Sequence, residues 1–168
     1  MTDAAKLTRR HLRIGWWSLL FWLTVGIALE SMHGFKVGWY LAVGNETRRM
    51  LFTLAHAHGT AIALVHLGFA FTVAHCFAPG GASGVVARSA RIASPCLITA
   101  AILLPMGFLL GGVVVYGGSD PGPGIFLVPV GAIALLVGVL AAAIAVSSVD
   151  APAIPATKTD EPRDVDVD

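Results

Sequence analysis

Residues 124–149 read GIFLVPVGAIALLVGVLAAAIAVSSV, 26 consecutive positions without an ionisable side chain. A helix of about 20 apolar residues crosses a hydrocarbon layer about 30 Å thick. No water satisfies the backbone inside such a layer, so the stretch must be helical. Working toward the amino terminus, residues 95–116, 50–77 and 14–32 form three more runs with few or no charges. The run 50–77 is longer than a crossing needs and is expected to tilt or project beyond the bilayer. The fold class is therefore an all-α integral membrane protein, a four-transmembrane-helix bundle. Residues 1–149 form the transmembrane domain. Residues 150–168, rich in Pro, Asp and Thr, read as a disordered acidic cytoplasmic tail.

Composition agrees with this reading. The 168 residues are 56% apolar and 12% charged, with a mean hydropathy of +0.78. A soluble domain carries about twice that charged fraction. A soluble globular fold, an intrinsically disordered chain, a nucleic-acid partner and a disulfide-stapled secreted scaffold are all excluded. The partner that remains is the lipid bilayer, with a homo-oligomer or a larger membrane complex as further expectations.

The basic residues orient the chain. Lys6, Arg9, Arg10 and Arg13 precede the first run, Arg88 and Arg91 lie between the second and third, and Lys158 and Arg163 fall in the tail. Lys36, Arg48 and Arg49 lie between the first and second. With both termini cytoplasmic, eight basic residues stand inside and three outside, as positive-inside bias prefers. The expected location is the bacterial inner membrane. A cleaved signal peptide is the rival reading of the amino terminus, but Trp16-Trp17-Ser18-Leu19-Leu20-Phe21-Trp22 is bulky and no good small-residue cleavage site follows.

The connections carry their own signals. Residues 34–44, with Phe35, Trp39 and Tyr40, suit the outer interface, where aromatics collect. Asn45 or Thr47 can cap the second helix, with Glu46 favouring its positive end. Residues 79–94, rich in Gly and Ser, are expected to be a mobile inner loop, and Pro121 and Pro123 mark a tight turn that makes the last two spans a hairpin. Small residues at four-residue spacing, Ala55/Gly59/Ala63, Ala57/Ala61 and Ala134/Gly138/Ala142, together with Gly107, Gly111 and Gly112, allow close backbone approach. Pro105 and Pro129 are expected to interrupt their helices, and Trp16, Trp17 and Trp22 to be lipid or interface anchors.

Ionisable groups within a span are costly and mark function by default. The last two spans have none. The first carries Glu30 and His33, and the second carries His56, His58, His66 and His75. A rise of 1.5 Å per residue puts Glu30, His33, His56 and His58 in the outer part of the membrane, with Asp120 on the outer turn within reach. Glu30 and His33, three apart, share a helix face. Two imidazoles and a carboxylate suit zinc, copper or iron, and a histidine pair such as His33 and His58 from separate helices can ligate haem. One objection stands. His56 and His58 lie about 200° apart on a regular helix, so they cannot face one ion together. His66 is expected to be a satisfied core histidine or an inward proton step. His75, Cys76 and Cys96 with His11 form a less favoured inner metal set that matches no closed zinc motif. Polar contacts between helices are the structural alternative throughout.

The segments Ala28-Leu29-Glu30-Ser31-Met32-His33-Gly34-Phe35-Lys36 and Leu54-Ala55-His56-Ala57-His58-Gly59 resemble a pattern in small bacterial four-span membrane proteins. The resemblance covers the first two spans and implies no activity. The Ala-His-Ala-His segment is similar to a histidine-bearing helix of haem–copper oxidase relatives, which have more spans and further ligands than this chain. It implies a metal or haem, without implying oxygen chemistry.

These observations lead to an expected His/Glu site near the outer face, with Glu30, His33, His56 and His58 as metal ligands and His33 and His58 as cofactor ligands. The expected role is metal handling or electron transfer. An accessory or assembly subunit with structural histidines is the first alternative, and a small proton-coupled transporter is the second. No nucleophile–base pair, phosphate loop or paired catalytic carboxylates mark an enzyme.

Overall fold

The computed structural model describes residues 3–42, 46–77, 84–113 and 121–149. Asn45, Asp120, residues 78–83 and the acidic tail lie outside the described residues. All the elements described are helical: α1 (Asp3–Gly34), a short α2 (Gly38–Leu41), α3 (Glu46–Thr72) continuing through a π-helical turn at Val73–Phe77, α4 (Gly84–Val113), and α5 (Leu127–Ser147) after a 3₁₀ turn at Pro123–Phe126. Four of these are long and apolar enough to cross a membrane, as a multi-pass membrane protein requires. Their main packing contacts run α1 on α3, α3 on α4 and α4 on α5.

Each seam follows the alternating three- and four-residue spacing that keeps one stripe facing a neighbouring helix. On α4 the buried stripe is Val86, Ala90, Ala93, Leu97, Ala100, Leu104, Gly107 and Gly111. On α5 it is Gly131, Gly138, Ala141 and Ala145, and on α1 it is His11, Gly15, Trp22 and Leu29. The α4–α5 hairpin is drawn together by glycine. A Cβ on Gly131 would stand 2.5 Å from the backbone nitrogen of Leu104, and one on Gly124 would stand 2.7 Å from that of Gly111. Ala55, Gly59 and Ala63 are buried as the small-residue spacing predicts, whereas Ala57 and Ala61 are exposed.

Four features differ from the sequence reading. Helix α4 starts at Gly84, so Arg88 and Arg91 ride on a helix in place of a loop. Its apolar stripe begins at Val86, and burial of that stripe against α3 and α5 outweighs the local Gly and Ser content. Pro95 and Pro105 lie within α4 without ending it. Pro129 falls in the first turn of α5, where a missing N–H has no intrahelical partner to lose. Trp16 and Trp17 are 61% and 72% exposed, as lipid-facing anchors should be, but Trp22 is 3% exposed. Its indole lies over Gly59, where any Cβ would collide with the ring.

The carboxyl-terminal end of α1 is closed by backbone geometry. Lys36 adopts φ 56°, while the Val37 N–H donates to Met32 O at 3.0 Å and the Lys36 N–H to His33 O at 3.3 Å. This is a Schellman closure, with a lysine where glycine is usual. It turns the chain into α2, whose Tyr40 is buried against Leu29 and Phe52.

Gly131→Ala should lower the thermal midpoint of the detergent-purified protein, at a cost of about 1–3 kcal/mol, because the methyl group meets backbone. Gly68→Ala, where a Cβ meets nothing within 4 Å, should leave the midpoint unchanged or slightly raised.

Candidate functional site

The polar side chains between α1 and α3 form two separate groups, one near each end of the seam. At the end expected to be outer, where α1 finishes and α3 begins, Gly26, Leu29, Glu30, His33, Tyr40, Thr53 and His56 line a cleft of about 260 Å³. Helix α1 contributes the carboxylate and one imidazole from a shared face, α3 contributes the second imidazole, and α2 closes one side with Tyr40.

His56 is the best fixed of these groups. Its Nδ1–H donates to the Trp22 carbonyl at 2.8 Å, which leaves Nε2 with its lone pair free. The imidazole fits because residue 26 has no side chain. A Cβ there would stand 2.5 Å from Cε1 of the ring. Glu30 and His33 are exposed at the mouth. Among the described residues, no three His, Cys, Asp or Glu side chains converge closely enough to hold an ion in this arrangement.

His58 stands apart from this cleft. Its Nδ1–H donates to Leu54 O of its own helix at 2.8 Å, and its ring lies 5.0 Å from that of Phe108 on α4. The helical angle between His56 and His58 decides this separation. Of the expected set, Glu30, His33 and His56 line one cleft without converging on a single point, and His58 faces the α3–α4 side.

At the opposite end, expected to be the inner one, His11 of α1 and His66 of α3 meet directly. Their Nδ1 atoms are 2.7 Å apart. His11 Nε2 lies 2.9 Å from Ser94 Oγ, and His66 Nε2 lies 3.3 Å from Leu97 O. Both imidazoles have no exposure at all. Their ring planes are inclined at 23° with centroids 4.8 Å apart, and Phe69 packs edge-on against His11. Three helices are joined here by polar contacts. The other residues of the less favoured inner set do not join them. His75 bonds the Phe71 carbonyl and stacks on its ring, Cys76 is exposed and Cys96 is half-buried, and both cysteines are free.

Sequence reasoning missed Arg48, which it counted simply as an outer-loop charge. Arg48 is buried to 9% exposure. Its Nε donates to Gly112 O at 3.1 Å and its Nη1 to Trp39 O at 3.0 Å, while the guanidinium lies 4.3 Å from the Trp39 ring centre. One side chain therefore ties α2 and the outer end of α4 to α3. The adjacent Trp39 was the available signal, since guanidinium stacks on indole.

Comparison with protein-family models, with curated proteins and with solved structures finds no match. The functional reading therefore rests on this chain's own residues.

Arg48→Ala should destabilise the detergent-purified protein by about 2 kcal/mol, since hydrogen bonds from a charged donor to two carbonyls are lost. Arg48→Lys should recover little of the loss, because an ammonium cannot reproduce the planar fork and the stacking together. Thermal unfolding monitored by tryptophan fluorescence checks both.

Proposed function

We propose that this chain is a bacterial inner-membrane protein, both termini cytoplasmic, whose outer α1–α3 cleft binds a transition-metal ion through His56, His33 and Glu30. The observation that carries the reading is the setting of His56. Metal-bound histidines commonly donate their second ring N–H to a backbone carbonyl, which fixes the tautomer and aims the other nitrogen. His56 makes that bond to Trp22 and lines a cleft that also holds a second imidazole and a carboxylate. Glu30 and His33 stand at its mouth on one face of α1. The donor set of two nitrogens and one carboxylate suits zinc, copper or iron.

The role that follows is metal handling or electron transfer at the outer face.

Protein purified gently from its membranes should carry near-stoichiometric metal by elemental analysis. His56→Ala and His33→Ala should lose it while still inserting, and His58→Ala should retain it. Metal-free wild-type protein, or equal loss in the His58 variant, overturns the site. A Soret band in the visible spectrum would transfer the reading to haem. For orientation, a fluorescent-protein fusion at the carboxyl terminus should fluoresce, and an alkaline phosphatase fusion at the same point should be inactive.

A second reading, proton-coupled transport, is favoured by one specific observation: the same seam carries a buried imidazole pair at its inner end. On that reading Glu30 is the outer proton carrier. Its discriminating outcome is growth protection against cationic toxins by the wild type but not by Glu30→Gln.

A further inference from the structure

The inner imidazole pair carries an inference that is independent of the outer cleft. A carbonyl oxygen only accepts hydrogen bonds, so the contact to Leu97 O requires a hydrogen on His66 Nε2. In a neutral imidazole the other nitrogen is then an acceptor. His66 Nδ1 accepts, and His11 Nδ1, 2.7 Å away, must donate. His11 Nε2 is in turn an acceptor, and the Ser94 hydroxyl donates to it across 2.9 Å. The direction of every bond follows from the one carbonyl at the end of the row.

The same arrangement has room for one more proton. A proton adding to the lone pair of His11 Nε2 forms an N–H that donates to Ser94 Oγ. The serine hydrogen swings toward the carbonyl of the preceding turn, the usual partner of a helical serine. The bonds from His11 to His66 and from His66 to Leu97 O stay in place. The imidazolium then has an acceptor for each N–H, and its bond to His66 becomes charge-assisted, the class of bond that is shortest and strongest. A second proton cannot be taken up in the same way. It would place hydrogens on two Nδ1 atoms that face each other across 2.7 Å, and the bond joining α1 to α3 would be lost.

We propose that His11, His66 and Ser94 form a one-proton binding site enclosed at the junction of α1, α3 and α4. The groups around it are few. Helix α1 brings Arg10, next to His11 in the chain and itself exposed. Helix α3 brings the apolar edge of Phe69. Helix α4 brings Ser94 and the Leu97 carbonyl, while its Arg91 is exposed and bonds back to Ala87 O. No carboxylate is in contact with either imidazole among the described residues. A buried charge without a counter-ion is costly, so the resting pair is neutral and the charged form is reached on acidification. The ligand is the proton itself, held on the cytoplasmic side of the proposed topology.

The test is magnetic resonance on full-length protein carrying isotope-labelled histidine, reconstituted in phosphatidylethanolamine–phosphatidylglycerol vesicles. Near neutral pH, His11 is expected as the Nδ1–H tautomer and His66 as the Nε2–H tautomer, with a scalar coupling between their facing nitrogens. Stepwise acidification, carried below the ordinary imidazole range as far as the fold persists, should add one proton per pair, appearing on His11 Nε2. Ser94→Ala, a substitution small enough to keep the fold, should weaken proton uptake about tenfold by removing the acceptor of the charged form. The proposal is overturned if His11 is the Nε2–H tautomer, if the two imidazoles titrate as independent single sites, or if the pair takes up no proton in that range. It is equally overturned if Ser94→Ala leaves proton uptake unchanged.

Discussion

Helices surrounded by hydrocarbon gain no hydrophobic advantage from touching one another, because lipid tails are as apolar as leucine. Association then depends on how closely two backbones approach, and glycine sets that distance here. Gly131 lets α5 lie against the backbone of Leu104, Gly138 lets it pass Leu97, and Gly59 receives the indole of Trp22. Helix α3 occupies the middle of the row, with α1 on one side and α4 on the other. The outer faces of α1 and α5 keep large apolar side chains exposed, as lipid contact requires.

The chemistry depends on the same close approach. With α1 pressed to α3 at Gly59, the Trp22 carbonyl is in reach of His56. Gly26 then gives the imidazole its space. Ten residues further along α3, about 15 Å at helical rise, His66 meets His11. Between these two levels the seam is filled by Trp22 over Gly59 and by Gly15 against the backbone of Ala63. One interface thus holds two polar groups of different character. The outer group is open, with an exposed carboxylate at its mouth. The inner group is closed and contains imidazole, hydroxyl and carbonyl alone. Arg48 adds a third polar tie, holding α2 and the end of α4 around the outer cleft.

Much of the fold is legible in one dimension. Four apolar runs define four helices, since the length of a crossing and the need to satisfy the backbone leave no other choice. Of the spacing Ala134/Gly138/Ala142 read in α5, Gly138 is buried and the two alanines are half-buried beside the contact stripe of Gly131, Gly138, Ala141 and Ala145, and Glu30, His33 and His56 lie at similar heights on antiparallel neighbours. The parts that are not legible share one cause. Burial of a side chain depends on which neighbouring helix faces it, and periodicity along one helix does not name that neighbour. Trp22 has the composition of a lipid anchor and becomes core because Gly59 lies opposite. Residues 84–94 have loop-like composition and become helix because Val86, Ala90 and Ala93 find apolar partners. Arg48 looks like a surface charge and becomes a clamp because two backbone carbonyls and an indole surround it.

The inner site marks the boundary most clearly. His11 stands among Arg9, Arg10 and Arg13, in a segment whose charge reads only as an orientation signal, and Ser94 is one of several serines near an apolar run. These residues are 55 and 83 positions apart in their two contacts, far beyond what helix geometry alone can relate. The sequence by itself determined the number of helices and their antiparallel order, because hydropathy and helix rise act along the chain. It also determined the separation of His56 from His58, because 100° per residue is a property of a single helix. Only the tertiary structure decided which histidines meet, because that depends on how three helices are rotated about their own axes, and those rotations are set by the packing of small and large side chains across the seams.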